Sequence, residues 1–228
     1  IENAAGKTLY LSNIGINGNI VLDSVKIDQN GIYTFEQPQP ASYDFFFIAI
    51  NGAKPIPFAI DSTETITINS DANNFYDSYT LEGNIESQQI KEMNELQTAL
   101  EKQINEMLKS TSPAIIKTRN DIYALIGEFK QNISKQYIIP APDKASAYYA
   151  LSLSLNGEPL FQPRNNRNDS KCFAAVATSM KLRFPNAKRT QHLYKIAEES
   201  MAATRPQKTR TVEVEEGNIT TTGLFNIT

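Results

Sequence analysis

Apolar and polar residues alternate along the first third of the chain and then settle into a helical period. Thr8 to Asn13 places Leu9 and Leu11 on one face. Val21 to Asp28 follows a Gly/Asn-rich turn, and Gln29-Asn30-Gly31 carries the Asn-Gly pair that suits a tight hairpin. Ile32 to Glu36 then alternates. Tyr43 to Ile50 is aromatic and apolar apart from Asp44 and strongly β-prone, as in an inner strand, and Asn51-Gly52 closes it. Ile56 to Ile60, Thr65 to Asn69 and Tyr79 to Glu82 complete six or seven short strands. This spacing predicts an antiparallel β-sandwich or open barrel over residues 1–83. Ile1 stands too near the first turn to begin a whole strand, so part of an opening strand is expected upstream.

From Ile90 the apolar positions are Met93, Leu96, Leu100, Ile104, Met107 and Leu108, one stripe of a helix that Asn84 or Ser87 would cap. Ser112-Pro113 is expected to start a second helix, with Ile122, Ile126, Phe129, Ile133 and Tyr137 on one face and Pro140 and Pro142 ending it. A third is expected from Asp143 to Leu155, stopping at Asn156-Gly157. A fourth, capped by Asp169 or Ser170, would run to about Phe184, and a fifth from Ala187 to Ala203. Residues 84–206 thus read as a helical region of about five helices, making the whole an α+β protein. Thr211 to Glu215 reads as a strand and Gly217 to Thr228 as a polar linker.

The chain has 228 residues, enough for one large domain or two modest ones, and a net charge of −3. That balance does not point to nucleic acid or a membrane surface. No apolar run approaches the length of a membrane span. The single cysteine, Cys172, excludes an internal disulfide.

Candidate chemistry is sparse. Cys172, expected in the first turn of the fourth helix beside Lys171, has surroundings that favour a thiolate. It lacks the second thiol of a redox pair, and a buried, unreactive role is the simpler reading. His192, the only histidine, has no second histidine or cysteine at zinc-ligand spacing, and no G-x-S-x-G accompanies it. It reads as a helix surface or packing residue. Asp61-Ser62-Thr63-Glu64 gathers oxygens without the spacing of a calcium loop, and a hydrogen-bonded turn explains it. Glu213, Glu215 and Glu216 read as a solvated strand face. Asn132, Asn218 and Asn226 begin glycosylation sequons that an Asn/Thr-rich chain produces by chance. Tyr33, Phe35, Tyr43, Phe45, Phe46 and Phe47 could present a glycan- or peptide-binding face, although alternation turns about half of them inward. These readings assign no catalytic, cofactor-binding or metal-ligating residue.

Four segments of the first part, IENAAGKTLYLSN, VLDSVKIDQNGIYTF, PIPFAIDSTETITINS and YTLEGNIESQQIKEMNEL, resemble the N-terminal accessory domain of exported bacterial thiol-disulfide oxidoreductases. The later MKLRFPNAKRTQHLYKIAEE resembles the helical segment that follows there. The resemblance implies a thioredoxin-like domain of the thiol-specific-antioxidant type after GNITTTGLFNIT. It also implies a periplasmic or cell-surface setting, with a leader or lipid anchor upstream of Ile1. The family's Cys-x-x-Cys has no counterpart here, and Cys172 does not match it, so no catalytic residue carries over.

The function expected is therefore a non-catalytic accessory region that positions the redox domain, dimerises or recognises partners. The rival is a stand-alone surface module for glycans or peptides. An enzyme, a third possibility, would need titratable groups brought together in a pocket by the tertiary fold.

Overall fold

Antiparallel pairing organises the first part of the chain. The computed structural model describes residues 1–109, 115–206, 210–216 and 219–225, with side chains described for 1–109 and 119–206. Strands β1 (Thr8–Gly15), β2 (Gly18–Lys26), β3 (Asp44–Ile50) and β4 (Ile56–Ile60) form one sheet in the order β2-β1-β3-β4. The aromatic run is an inner strand, as its composition predicts. The sheet is open and does not close into a barrel. A short ribbon of β5 (Thr67–Asn69) and β6 (Thr80–Glu82) packs on one face, so the sandwich alternative describes the arrangement better.

Two departures from the strand pattern have a common physical cause. The Gln29-Asn30-Gly31 turn forms, with Gly31 at φ 78°, but no hairpin ladder follows it. Residues 32–42 belong to no strand. The space beside Gly31 is taken by the start of the chain. The Ile1 amino group donates to the Gly31 carbonyl, and a Cβ at Gly31 would collide with the Ile1 carbonyl. Glu2 in turn bonds across to Ser70 and Ala72. The first hairpin instead closes at Ile16-Asn17, where Gly15 pairs with Gly18.

Helix α1 (Ile85–Lys109) begins at Asn84, whose Oδ1 accepts from the Ser87 N–H at 2.7 Å. Helix α2 (Ile115–Ile133) runs into a π-helical turn, Ser134–Ile138; its expected start at Ser112-Pro113 lies outside the described residues. Helix α3 is only Ala145–Leu151. The segment expected to extend it forms a small hairpin, β7 (Ser154–Leu155) and β8 (Glu158–Pro159). Asn156-Gly157 is its two-residue turn, with φ 50° and 85°, the positive pair such a turn requires. Helices α4 (Arg167–Arg183) and α5 (Lys188–Ala203) follow. The cap of α4 is Asn166, which accepts from Asn168 and Asp169, rather than Asp169 or Ser170. Part of the expected polar linker is a strand: β9 (Arg210–Glu216) pairs with β10 (Ile219–Phe225).

The sheet divides the core in two, because alternate residues of a strand point to opposite faces. Phe45 and Ala59 join Tyr43, Ile90, Met93, Ile133, Val176 and Met180 on the helical side. Leu9, Leu11, Ile48, Ile56 and Phe58 pack with Ile68, Phe75 and Leu81 on the ribbon side. The β4 edge is sealed by Asn84 and Ser87 of α1, both bonded to Ala59. The β2 edge pairs only with β1 among the described residues and leaves Ile20 and Val21 exposed.

Candidate functional site

A groove of about 530 Å³ lies on the ribbon side of the sheet. Its floor includes Ile48, Phe46 and Phe58; residues 31–40 form one wall and residues 62–69 the other. Of the two walls, only Thr67–Asn69 is strand. Residues 33–42 make no backbone–backbone hydrogen bond among the described residues, since no strand lies beside them. β5 pairs on one side with β6. The Tyr33 hydroxyl ties the walls together, donating to the Ile68 carbonyl at 2.8 Å. Burial pushes that phenol up to about 12, so it remains a donor at any physiological pH. Thr63 adds a second tie, its hydroxyl donating to Gln39 at 3.0 Å.

The six aromatics singled out by their pattern are thus distributed rather than gathered. Tyr33, Phe35 and Phe46 line the groove. Tyr43 and Phe45 are buried on the helical side, in contact with Tyr148. Phe47 faces a smaller recess near Tyr149. Alternation separated Phe46 from Phe45 and Phe47; the bias of Tyr33 and Phe35 toward the groove could not be read without knowing that their segment leaves the sheet.

The titratable candidates do not converge. Cys172 is half-buried in the second turn of α4, not the first, because the helix starts at Asn166. Its sulfur lies 3.6 Å from the Ser134 hydroxyl. Burial raises its pKa, outweighing the Ser134 hydrogen bond that lowers it, with smaller opposed effects of Asp169 and Lys130. A raised thiol is the reverse of what nucleophilic attack needs. His192 is exposed on α5. Asp61 to Glu64 form a bonded turn: Asp61 pairs with Arg183 at 2.7 Å, and Glu64 accepts from the Asp61 N–H and from Asn84. Among the described residues, no three His, Cys, Asp or Glu side chains stand together as a metal site. The side chains of Glu213, Glu215 and Glu216, and all of Asn218 and Asn226, lie outside the described residues; Asn132 is exposed on α2.

One buried carboxylate escaped the sequence reading. Glu86 accepts from the Ala145 N–H at 2.6 Å, with Lys144 at 3.5 Å, and so joins α1 to the start of α3. Burial raises its pKa, outweighing the Ala145 bond. Its position in a first helical turn gives no hint of a partner 59 residues away.

Fold and groove together define a layered α+β protein with a recess on the sheet face away from its helices. The sequence model of a domain of unknown function (DUF4369) matches residues 1–90, the sheet, the ribbon and the start of α1. No curated protein and no solved structure matches the chain. Among the described residues no helix is long and apolar enough to cross a membrane.

Proposed function

We propose that the chain is a non-catalytic accessory region of an exported thiol-disulfide oxidoreductase, and that its groove holds an extended segment of a partner polypeptide. The observation that carries this reading is a groove with an apolar floor between the strandless segment 31–40 and the segment 62–69 that ends in β5. An extended peptide laid between them would gain main-chain bonds from residues 33–40 and apolar contacts from alternate side chains. The raised pKa of Cys172 supports assigning the thiol chemistry to a separate thioredoxin-like domain. In this reading the protein works in the periplasm or at the cell surface, and the helical layer spaces the groove from the redox domain or mediates a homodimer.

The two parts of the proposal are tested separately. Extended peptides of about eight residues with alternating apolar positions should bind. Ile32→Asp and Thr67→Arg, both exposed at the groove, should weaken that binding about tenfold. No binding, or binding indifferent to both changes, overturns the groove assignment. The coding sequence following residue 228 tests the redox assignment: a Cys-x-x-Cys after a strand supports it, and its absence overturns it.

A further inference from the structure

Charge is segregated along the chain in a way that the net value of −3 conceals. Residues 170–197 carry six of the 22 lysines and arginines and none of the 25 acids. They make up most of α4, the turn after it and most of α5. Two of the six cations serve the fold: Arg183 meets Asp61 and Asp143, and Arg189 meets Asp44. The other four, Lys171, Lys181, Lys188 and Lys195, are exposed and form no salt bridge among the described residues.

Helical spacing gathers them. Lys188 and Lys195 stand two turns apart on one stripe of α5, with the exposed His192 between them. Lys171 and Leu182 share a stripe of α4, three turns apart. Lys181 leans toward α5, its Nζ 3.5 Å from the Tyr194 ring centre. Both helices bury their other faces in one core through Phe173, Val176, Met180, Leu193 and Ala197, so the two stripes belong to one outer surface. Near the turn that joins the helices stands Leu182, 83% exposed, the most exposed large apolar residue among those described.

Unpaired lysines beside an exposed leucine complement an anionic lipid surface. The ammonium groups meet phosphates at headgroup level, and the apolar tip enters the boundary below them. A nucleic acid would engage the lysines and leave Leu182 in water. Acids reappear along the hairpin only at Asp169, which is buried and paired with Lys130, and at Glu198 and Glu199, the latter paired with Arg164. Acids farther off are screened beyond about 10 Å at 0.1 M salt, so the negative remainder of the chain does not cancel the attraction.

We propose that the turn end of the α4–α5 hairpin docks on an anionic phospholipid bilayer, with Lys181, Lys188 and Lys195 on lipid phosphates and Leu182 inserted among the headgroups. The contact is peripheral, lies on the helical side of the sheet and does not depend on the peptide groove.

The full chain should sediment with phosphatidylcholine vesicles containing about 30% phosphatidylglycerol at about 50 mM salt, and not with phosphatidylcholine alone. Raising the salt to about 500 mM should release it. Lys188→Gln and Lys195→Gln should each weaken binding about fivefold, and Leu182→Asp about tenfold. Lys102→Gln, exposed on α1 outside the patch, should leave it unchanged. The proposal is overturned if the anionic vesicles do not bind, or if binding is indifferent to both lysine changes or to Leu182→Asp. It is also overturned if soluble polyglutamate, which offers charge without a bilayer, binds as tightly, since that would mark an acidic protein as the partner.

Discussion

The Ser87 hydroxyl donates to the Ala59 carbonyl at 2.9 Å and accepts from the Ala59 N–H at 3.1 Å, so one side chain of α1 satisfies both backbone groups of a β4 residue. An edge strand normally needs another strand for this. Asn84 reinforces the seal, its Nδ2 donating to the same carbonyl at 2.8 Å. Ser87→Ala leaves the buried Ala59 N–H without its partner and is expected to cost about 1–3 kcal/mol in urea unfolding. Ser87→Thr, retaining the hydroxyl, should recover part of it.

Arg189 on α5 ties the helical layer to the sheet. Its guanidinium meets Asp44 Oδ1 at 2.6 Å, donates to the Ile14 carbonyl and lies 5.2 Å from the Phe45 ring centre. Arg189 is the more buried partner, so the two truncations should differ. Asp44→Ala strands a buried cation and is expected to cost about 3 kcal/mol, whereas Arg189→Met, which leaves Asp44 partly hydrated, costs about 1–2 kcal/mol. A double-mutant cycle by chemical denaturation measures both.

Glu86 makes stability depend on pH with a defined sign. Burial raises its folded-state pKa above the unfolded value. Between those two values the folded state binds more protons than the unfolded one, so this residue's contribution falls as pH rises. Asp61 and Lys144 are the charged groups acting on it. Glu86→Gln, which can still accept from Ala145, removes the dependence. The stability difference between variant and parent, followed by thermal melts upward from the ordinary carboxylate range, should shift in favour of Glu86→Gln. A flat difference would refute the assignment.

Gly83 stands between β6 and α1 at φ 135°, and a Cβ there would lie 2.5 Å from the Thr65 carbonyl oxygen and 2.8 Å from Ile66 Cδ1. Gly83→Ala should therefore destabilise by more than the roughly 1 kcal/mol of an ordinary glycine effect, and it should loosen the 62–69 wall of the groove. Amide hydrogen exchange at Thr67 to Asn69 reads the second consequence directly.

The period of the apolar residues carried most of the architecture. Alternation located β1, because one face of a half-buried strand must be apolar, while a nearly unbroken β-prone run located β3 and the Asp61-Ser62 turn set off β4. The helical stripes located α1 and α2, cap and proline signals located α4 and α5, and Asn84 was legible as one of two candidate caps from its side chain. Asn156-Gly157 was ambiguous for a physical reason: positive φ serves a helix end and a two-residue hairpin equally well, and local chemistry does not choose. Residues 32–36 alternate like a strand but join no ladder, and Ile1 occupies the space beside their turn.

The candidate sites were less legible still. A buried polar contact cannot be seen in a sequence. Asn94 reads as one polar residue on a helix, and Tyr79 as the start of a strand; only the packing of α1 against the Tyr76–Tyr79 segment buries the two together. What the chain determined by itself was which residues seek burial and at what spacing, since that depends on local geometry and hydrophobicity alone. The groove walls, the thiol raised at Cys172 and the buried contact of Asn94 with Tyr79 were decided by tertiary structure. Each arises from desolvation and from which distant backbone atoms arrive within hydrogen-bonding reach.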